Sequence, residues 1–305
     1  MQHFDGRVAA ITGAASGIGR ALAIDLASRG AHLALSDVDE AGLAETVARC
    51  EGHPVKVTSQ RVDVADRAAM FAWADQVVAD HGKVNLIFNN AGVALGATVE
   101  AMSYEDLEWL MGINFWGVVH GTKAFLPHLK TSGEGHIVNL SSVFGLLSIP
   151  SQSAYNAAKF AVRGFTDALR MELEIDGAPV SCTTVHPGGI KTNIAKNARM
   201  DESVTEITGD GHANDEFDRL LITSPEKAAR QILAAVKADK RRALIGPDAK
   251  GIDLISRLPA AVYQRVIVFG AKRRRGPDPE PGGAAGSLVP CQATFATFDA
   301  GQEHR

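Results

Sequence analysis

Two stretches of the chain hold residue types whose spacing could do chemistry. In Tyr155-Asn156-Ala157-Ala158-Lys159 a tyrosine and a lysine stand four apart, so on a helix they share one face and bring a phenol and an ammonium to one place. A phenol with a pKa of about 10 is a poor base at neutral pH, and a nearby cation favours the tyrosinate and draws that pKa towards the working range. Such a pair alone is more often a packing or surface feature. The second stretch, Thr12-Gly13-Ala14-Ala15-Ser16-Gly17-Ile18-Gly19, sits where a first strand should turn into a first helix. There a glycine-rich turn lets a pyrophosphate approach backbone amides, and the helix N-terminus adds positive potential. Asp37 falls 18 residues after Gly19, at the end of the next strand. It could accept hydrogen bonds from both hydroxyls of an adenosine ribose, or be a solvated strand-end residue.

The elements that must position these groups follow from hydrophobic patterning. Short runs rich in Val, Ile, Leu and Ala alternate with longer stretches of helical periodicity. Strands are predicted at Val8–Thr12, His32–Ser36, Val55–Val62, Val84–Phe88, His136–Leu140, Val180–Val185 and Ala243–Ile245. Helices are predicted at Ile18–Ser28, Ala65–Ala79, Tyr104–Lys130, Ala154–Glu174 and Pro225–Lys237, the last with Ser224 as N-cap and Pro225 in its first turn. Right-handed βα alternation of this kind makes an α/β, doubly wound, Rossmann-type parallel sheet of seven strands with helices on both faces. It should occupy residues 1–250 as one catalytic domain. Residues 191–223 form a polar, acidic connection long enough to be a substrate lid, with Gly209 and Gly211 as hinge points. Residues 251–275 read as a basic C-terminal extension, and residues 276–305, which open Gly276-Pro277-Asp278-Pro279-Glu280-Pro281, as an unstructured tail.

The TGxxxGxG spacing of residues 12–19, the YxxxK set at Tyr155 and Lys159, and their order along residues 7–245 resemble the short-chain dehydrogenase/reductase family. The resemblance implies an oxidoreductase acting on CH–OH groups with a nicotinamide cofactor. Gly13, Ser16, Gly17, Ile18 and Gly19 would hold the pyrophosphate, Asp63 and Val64 the adenine, and Asn90, Ala91 and Gly92 of the NNAG segment would border the cofactor. In His186-Pro187-Gly188-Gly189-Ile190-Lys191-Thr192, the segment Pro187, Gly188, Ile190 and Thr192 would meet it from the other side, with the Ile190 backbone at the nicotinamide carboxamide. The implied catalytic set is Asn114, Ser142, Tyr155 and Lys159. Ser142, 13 residues before Tyr155, would hold the substrate oxygen, and Tyr155 would exchange its proton. Lys159 would lower the Tyr155 pKa and touch the nicotinamide ribose, and Asn114 would hold a water-linked proton path to the lysine. Asp37 with no basic neighbour at Ser16 or Val38 favours NAD over NADP, since a 2′-phosphate would meet a like charge. Alternatives with the same fold are an NADPH-dependent carbonyl reductase, an acyl-carrier reductase using Lys191, Lys196 and Arg199, and a cofactor-binding scaffold without turnover.

Composition narrows the partners. With 46% hydrophobic and 22% charged residues the chain can bury a large core, and no apolar run reaches the roughly 18 residues of a membrane span. A cytoplasmic protein is expected. Residues 1–236 carry a net charge of −9 and residues 237–275 one of +8, so the basic character is local and nucleic-acid binding is not indicated. Cys50, Cys182 and Cys291 lack metal or disulfide spacing, the histidines are scattered, and no metal site is expected. The loops Val93-Ala94-Leu95-Gly96 and Val143–Pro150 are apolar and free of Arg and Lys. Leu95, Phe144, Leu146 and Ile149 are therefore candidates to line a pocket for a hydrophobic secondary alcohol or ketone, although they could merely pack against a neighbour. Helices 104–130 and 154–174 carry Trp109, Leu110, Phe115, Trp116, Phe160 and Phe165 and are expected to form the shared faces of a homodimer or homotetramer. The apolar stretch Val262–Ala271 and the basic run Lys272–Arg275 read as a subunit or substrate-loop contact in preference to a membrane contact.

Overall fold

The computed structural model describes residues 1–275 except 2, 195 and 209–220. The proposed hinge glycines and the expected tail lie outside the described residues. Met1–Arg275 form one compact unit. Its centre is a seven-stranded, all-parallel sheet of β1 (Val8–Thr12), β2 (His32–Asp37), β3 (Val57–Arg61), β4 (Leu86–Asn89), β6 (Gly135–Leu140), β7 (Val180–Pro187) and β9 (Arg242–Ile245), in the order β3-β2-β1-β4-β6-β7-β9. The order reverses between β1 and β4, and ligands of doubly wound sheets bind in the crevice such a reversal opens.

Because alternate side chains leave opposite faces of a strand, each central strand feeds two cores. Ala9 and Ile11 of β1, Leu86 and Phe88 of β4, and Val138 and Leu140 of β6 join one cluster with Leu22 and Leu26 of α1 (Gly17–Ser28). Ile232 and Leu233 of the helix Pro225–Lys237 pack into the same cluster. Val8, Ala10, Ile87 and Ile137 join the other, with Met70 and Trp73 of α3 (Arg67–His81) and Phe125 and Leu129 of α5 (Gly117–Thr131). Burial on both faces is why the strands read as unbroken apolar runs.

The predicted helix 104–130 is interrupted. It is α4 (Tyr104–Met111), a π turn over Gly112–Trp116, and α5. Widened turns of this kind commonly occur at functional sites, and this one holds Asn114. Helix α2 (Glu40–Cys50) fills the β2–β3 crossover. Within the connection 191–223, β8 (Arg199–Met200) pairs in parallel with the short β5 (Leu95–Gly96), apart from the main sheet, and α7 (Ser203–Thr208) follows. Beyond α6 (Ser153–Ile175) and α8 (Pro225–Lys237), the basic extension folds as α9 (Pro247–Ile255) and α10 (Ala260–Arg275).

Candidate active site

The glycine-rich turn leaves β1 and enters α1 with its amides open. Helices α2, α3, α4 and α8 are each capped by the side chain of the preceding residue, Asp39, Asp66, Ser103 and Ser224 respectively. Ser16 occupies the same position before α1, yet its side chain makes no capping hydrogen bond. The first-turn N–H groups of α1 therefore have no side-chain acceptor, which is the arrangement that takes an anion. Gly17 has φ +53° and a Cβ there would stand 3.0 Å from Thr192 Cγ2, while a Cβ on Gly19 would overlap the Gly13 carbonyl oxygen. Asn90 Nδ2 donates to the carbonyls of Thr12 and Gly13 at 2.9 and 3.0 Å, so the NNAG segment fixes the turn from the neighbouring strand end.

Asp37 ends β2 beside this turn. Its Oδ2 accepts from Ala15 N at 2.9 Å and its Oδ1 from Asp39 N at 3.0 Å, and each carboxylate oxygen keeps further lone-pair capacity for a ribose hydroxyl. Asp63 is exposed and bonds Ala65 N at 2.9 Å, and Val64 is buried against the helix that begins at Gly117. On the far side Pro187 ends β7, Gly188 N donates to Ile245 O at 2.9 Å, and Ile190 bridges to Thr223. The predicted cofactor residues of these turns therefore lie at the carboxyl ends of β1, β2, β3, β4 and β7, on one edge of the sheet.

The catalytic candidates converge between β6 and α6. Tyr155 and Lys159 lie one turn apart on α6, the lysine Nζ 5.5 Å from the phenol ring centre. Ser142 follows β6 and its hydroxyl hydrogen-bonds the Tyr155 side chain. Lys159 Nζ donates to Leu140 O at 3.0 Å. Asn114 is fully buried and clasps the Val93 backbone, accepting from its N–H and donating to its C=O, both at 2.8 Å. A Cβ on Gly92 would stand 3.2 Å from Asn114 Oδ1 and 3.6 Å from Lys159 Nζ, so the missing side chain leaves the space between asparagine and lysine open.

Burial dominates the electrostatics of the tyrosine and lysine pair. Burial pushes the Tyr155 phenol up to about 12, and the Ser142 hydrogen bond is what opposes it. Lys159 is driven down to about 8 by burial. Its Nζ points to the Leu140 carbonyl, and the low-dielectric site disfavours both charged forms.

Four supporting residues carried no signal that separated them from ordinary polar positions. His186 is buried, its Nδ1 2.7 Å from the Ser142 carbonyl oxygen. Because burial holds it down to about 4 and a carbonyl only accepts, the neutral ring carries its proton on Nδ1. Ser141 Oγ donates to Lys159 O at 2.8 Å. Asn156 Nδ2 donates to the carbonyls of Phe144 and Leu147 at 2.8 and 3.1 Å, fixing the loop after β6. Asp248, at the start of α9, accepts from Gly189 N at 2.6 Å.

Of the pocket candidates, Leu95 is buried with Leu110, Ala154 and Ala158, a cluster that Val93, Trp109, Phe115 and Tyr155 partly cover. Phe144 stands edge-on to Tyr155 with ring centres 6.1 Å apart. Leu146 is buried and Ile149 half-buried. Among the cations of residues 191–223, Arg199 bonds Asp106 at 2.7 Å and lies 3.8 Å over the Trp109 ring, while Lys191 lines a cleft with Gly17, Thr192, Arg20, Arg49 and Arg230.

Residues 7–203 match the protein family described as short chain dehydrogenase. A putative oxidoreductase, SadH, of Mycobacterium tuberculosis strain H37Rv is 50% identical over 274 residues, covering 90% of this chain and 98% of that protein. The crystal structure of a Burkholderia phymatum short chain dehydrogenase/reductase in complex with NAD has a TM-score of 0.78 at 34% identity, covering 92% of this chain and 99% of that one. Levodione reductase has a TM-score of 0.72 at 27% identity, covering 81% and 99%. With the family match covering residues 7–203, and a relative of half-identical sequence over nearly its whole length, the chain belongs to the short-chain dehydrogenase/reductase family of oxidoreductases.

Proposed function

We propose that this chain interconverts a hydrophobic secondary alcohol and its ketone, with NAD(H) as the hydride carrier. NAD, when bound, would accept the hydride in oxidation and return it in reduction. Tyr155 would take the alcohol proton in oxidation and donate it to the carbonyl oxygen in reduction, with Ser142 holding that oxygen beside the phenol. A tyrosine pushed to about 12 is a competent acid and a weak base. Protonated Lys159, one turn away on α6, is the cation that would lower it for oxidation. Asn114, through Val93 and the open space at Gly92, would keep a water route to Lys159.

The observation that carries the substrate assignment is the apolar wall at Tyr155: Phe144 edge-on to its ring and the Leu95 cluster beneath it, with Arg199 already spent on Asp106 and Trp109. A charged substrate would lose hydration there without a partner. The choice of NAD is supported by Asp37 and by the commitments of Arg20, the base on the first turn of α1. Arg20 is committed to the carbonyls of Ala15 and Gly42, to Thr46 Oγ1 at 3.0 Å, and to Glu45 at 2.9 Å. It is thereby unavailable to a 2′-phosphate. The likeness to a structure that holds NAD points the same way. Steady-state kinetics over secondary alcohols graded by chain length, with both cofactors, test the assignment. kcat/KM should rise with apolar size and be higher with NAD, whereas a rise with polarity or charge would overturn the substrate class.

A further inference from the structure

The last helix turns an unusual face to solvent. Val262, Val266 and Phe269 recur at i, i+4 and i+7 along α10, one stripe of its surface, and Val266 is 67% and Phe269 60% exposed. The flank with Tyr263 and Ile267, half-buried, is the inward one, and α10 packs against α7. Arg265 and Lys272 run beside the outward stripe. Arg273 closes its end, with its guanidinium 4.7 Å from the Phe269 ring centre. From Leu254 to Arg275 the sequence has no Asp or Glu. The last acid before it, Asp253, is buried and paired with Arg257 at 2.7 Å.

We propose that this outward face of α10 docks onto an anionic lipid surface. Apolar side chains left in water are costly, and the cations interleaved with them decide what can cover them. The core of a protein interface is depleted in charged residues because each would need a desolvated partner. A lipid headgroup layer offers diffuse negative charge in the plane where Arg and Lys side chains reach, and the acyl boundary takes Val262, Val266 and Phe269. The charge complement is local: residues 1–236 are net −9 and would be repelled by the same surface that attracts residues 237–275 at +8. No helix among the described residues is long and apolar enough to cross a membrane, so α10 would lie in the surface. Its neighbour α7 is tied through Ser203, whose Oγ accepts from Thr98 N at 3.1 Å, to the loop after β5. Helix α10 itself therefore lies beside the proposed lid segment, whatever substrate the site turns over.

Co-sedimentation of the full chain with vesicles of phosphatidylcholine, and with an equimolar mixture of phosphatidylcholine and phosphatidylglycerol, tests the proposal. Binding to the anionic vesicles should be tighter by about tenfold or more and should weaken as salt is raised. The double variants Val266→Glu with Phe269→Glu and Arg265→Glu with Lys272→Glu should each lose at least that factor. Their circular dichroism and turnover of a short water-soluble alcohol should stay unchanged, since the four side chains face solvent. Equal binding to both vesicle types, or none to either, would overturn it. So would a fall in molecular mass on Val266→Glu with Phe269→Glu without vesicle binding, which would assign the face to a second copy of the chain.

Discussion

The Nδ1 of His186 lies 2.7 Å from the carbonyl oxygen of Ser142, so a buried imidazole at the end of β7 fixes the main chain of the residue that faces Tyr155 from the end of β6. The two strands are paired in register up to Leu140 and Val185, and this bond extends their coupling one step past the sheet. His186→Phe should lower kcat by roughly tenfold, the worth of one well-placed hydrogen bond. The affinity for NAD, measured by fluorescence titration, should change by less than about twofold. Loss of both together would mean that the imidazole supports the cofactor segment instead.

Acid should unfold the protein through two buried imidazoles. His136 and His186 are both held down to about 4, by burial first, and the Asp239 carboxylate 4.0 Å from His136 is too weak a counterweight. An unfolded histidine titrates near about 6.5. Below that pH the unfolded chain binds protons that the folded chain refuses, so stability is full above about 6.5 and is lost as pH falls towards 4, by up to about 3 kcal/mol for each group. Urea midpoints measured from pH 7 to pH 5 should fall accordingly. His136→Gln, which keeps a donor towards Thr183, should remove part of the slope, and an unchanged slope would contradict the assignment to that residue.

Cofactor selection should move with one carboxylate. Asp37→Ala removes the groups that accept from Ala15 N and Asp39 N as well as those offered to a ribose. kcat/KM with NAD should fall by about tenfold or more and the NADP to NAD ratio should rise, given the worth of charge-assisted hydrogen bonds. An unchanged ratio would place the selectivity elsewhere.

Assembly is expected across α4, α5 and α6. Of the aromatic and aliphatic residues that suggest it, Leu110 is wholly committed to the core, whereas Trp116 is 51% and Phe160 39% exposed. Trp116→Glu should shift light scattering from an oligomer towards the 32.2 kDa chain. A wild-type protein already at that mass would contradict the expectation.

How far the sequence could be read depended on whether a feature was local. The central strands of the main sheet were legible because both faces are buried, as Ala9 and Ala10 show by entering opposite cores. The Tyr155 and Lys159 pair was legible because helical spacing fixes it. The π turn at Asn114 was not, since Gly112–Trp116 has the composition of ordinary helix and the widened turn is set by long-range bonds to Val93. Nor was β8, two residues long and ordered by pairing with Leu95 and Gly96. The supporting roles of His186, Asn156 and Asp248 each join positions at least seven residues apart, and His186 and Asp248 reach across 44 and 59 residues, beyond any periodic pattern. Lys159 was expected to draw the tyrosine down. Spacing alone could not reveal that burial would dominate both groups.

The central claim is that Tyr155 exchanges the proton, and Tyr155→Phe tests it most directly because the substitution removes one oxygen and keeps the ring against Phe144. Steady-state turnover of a secondary alcohol with NAD should fall by about 10² to 10⁴-fold, the contribution of a general acid or base, while NAD affinity stays near that of the wild type. A variant that keeps more than about a tenth of wild-type turnover would contradict the account.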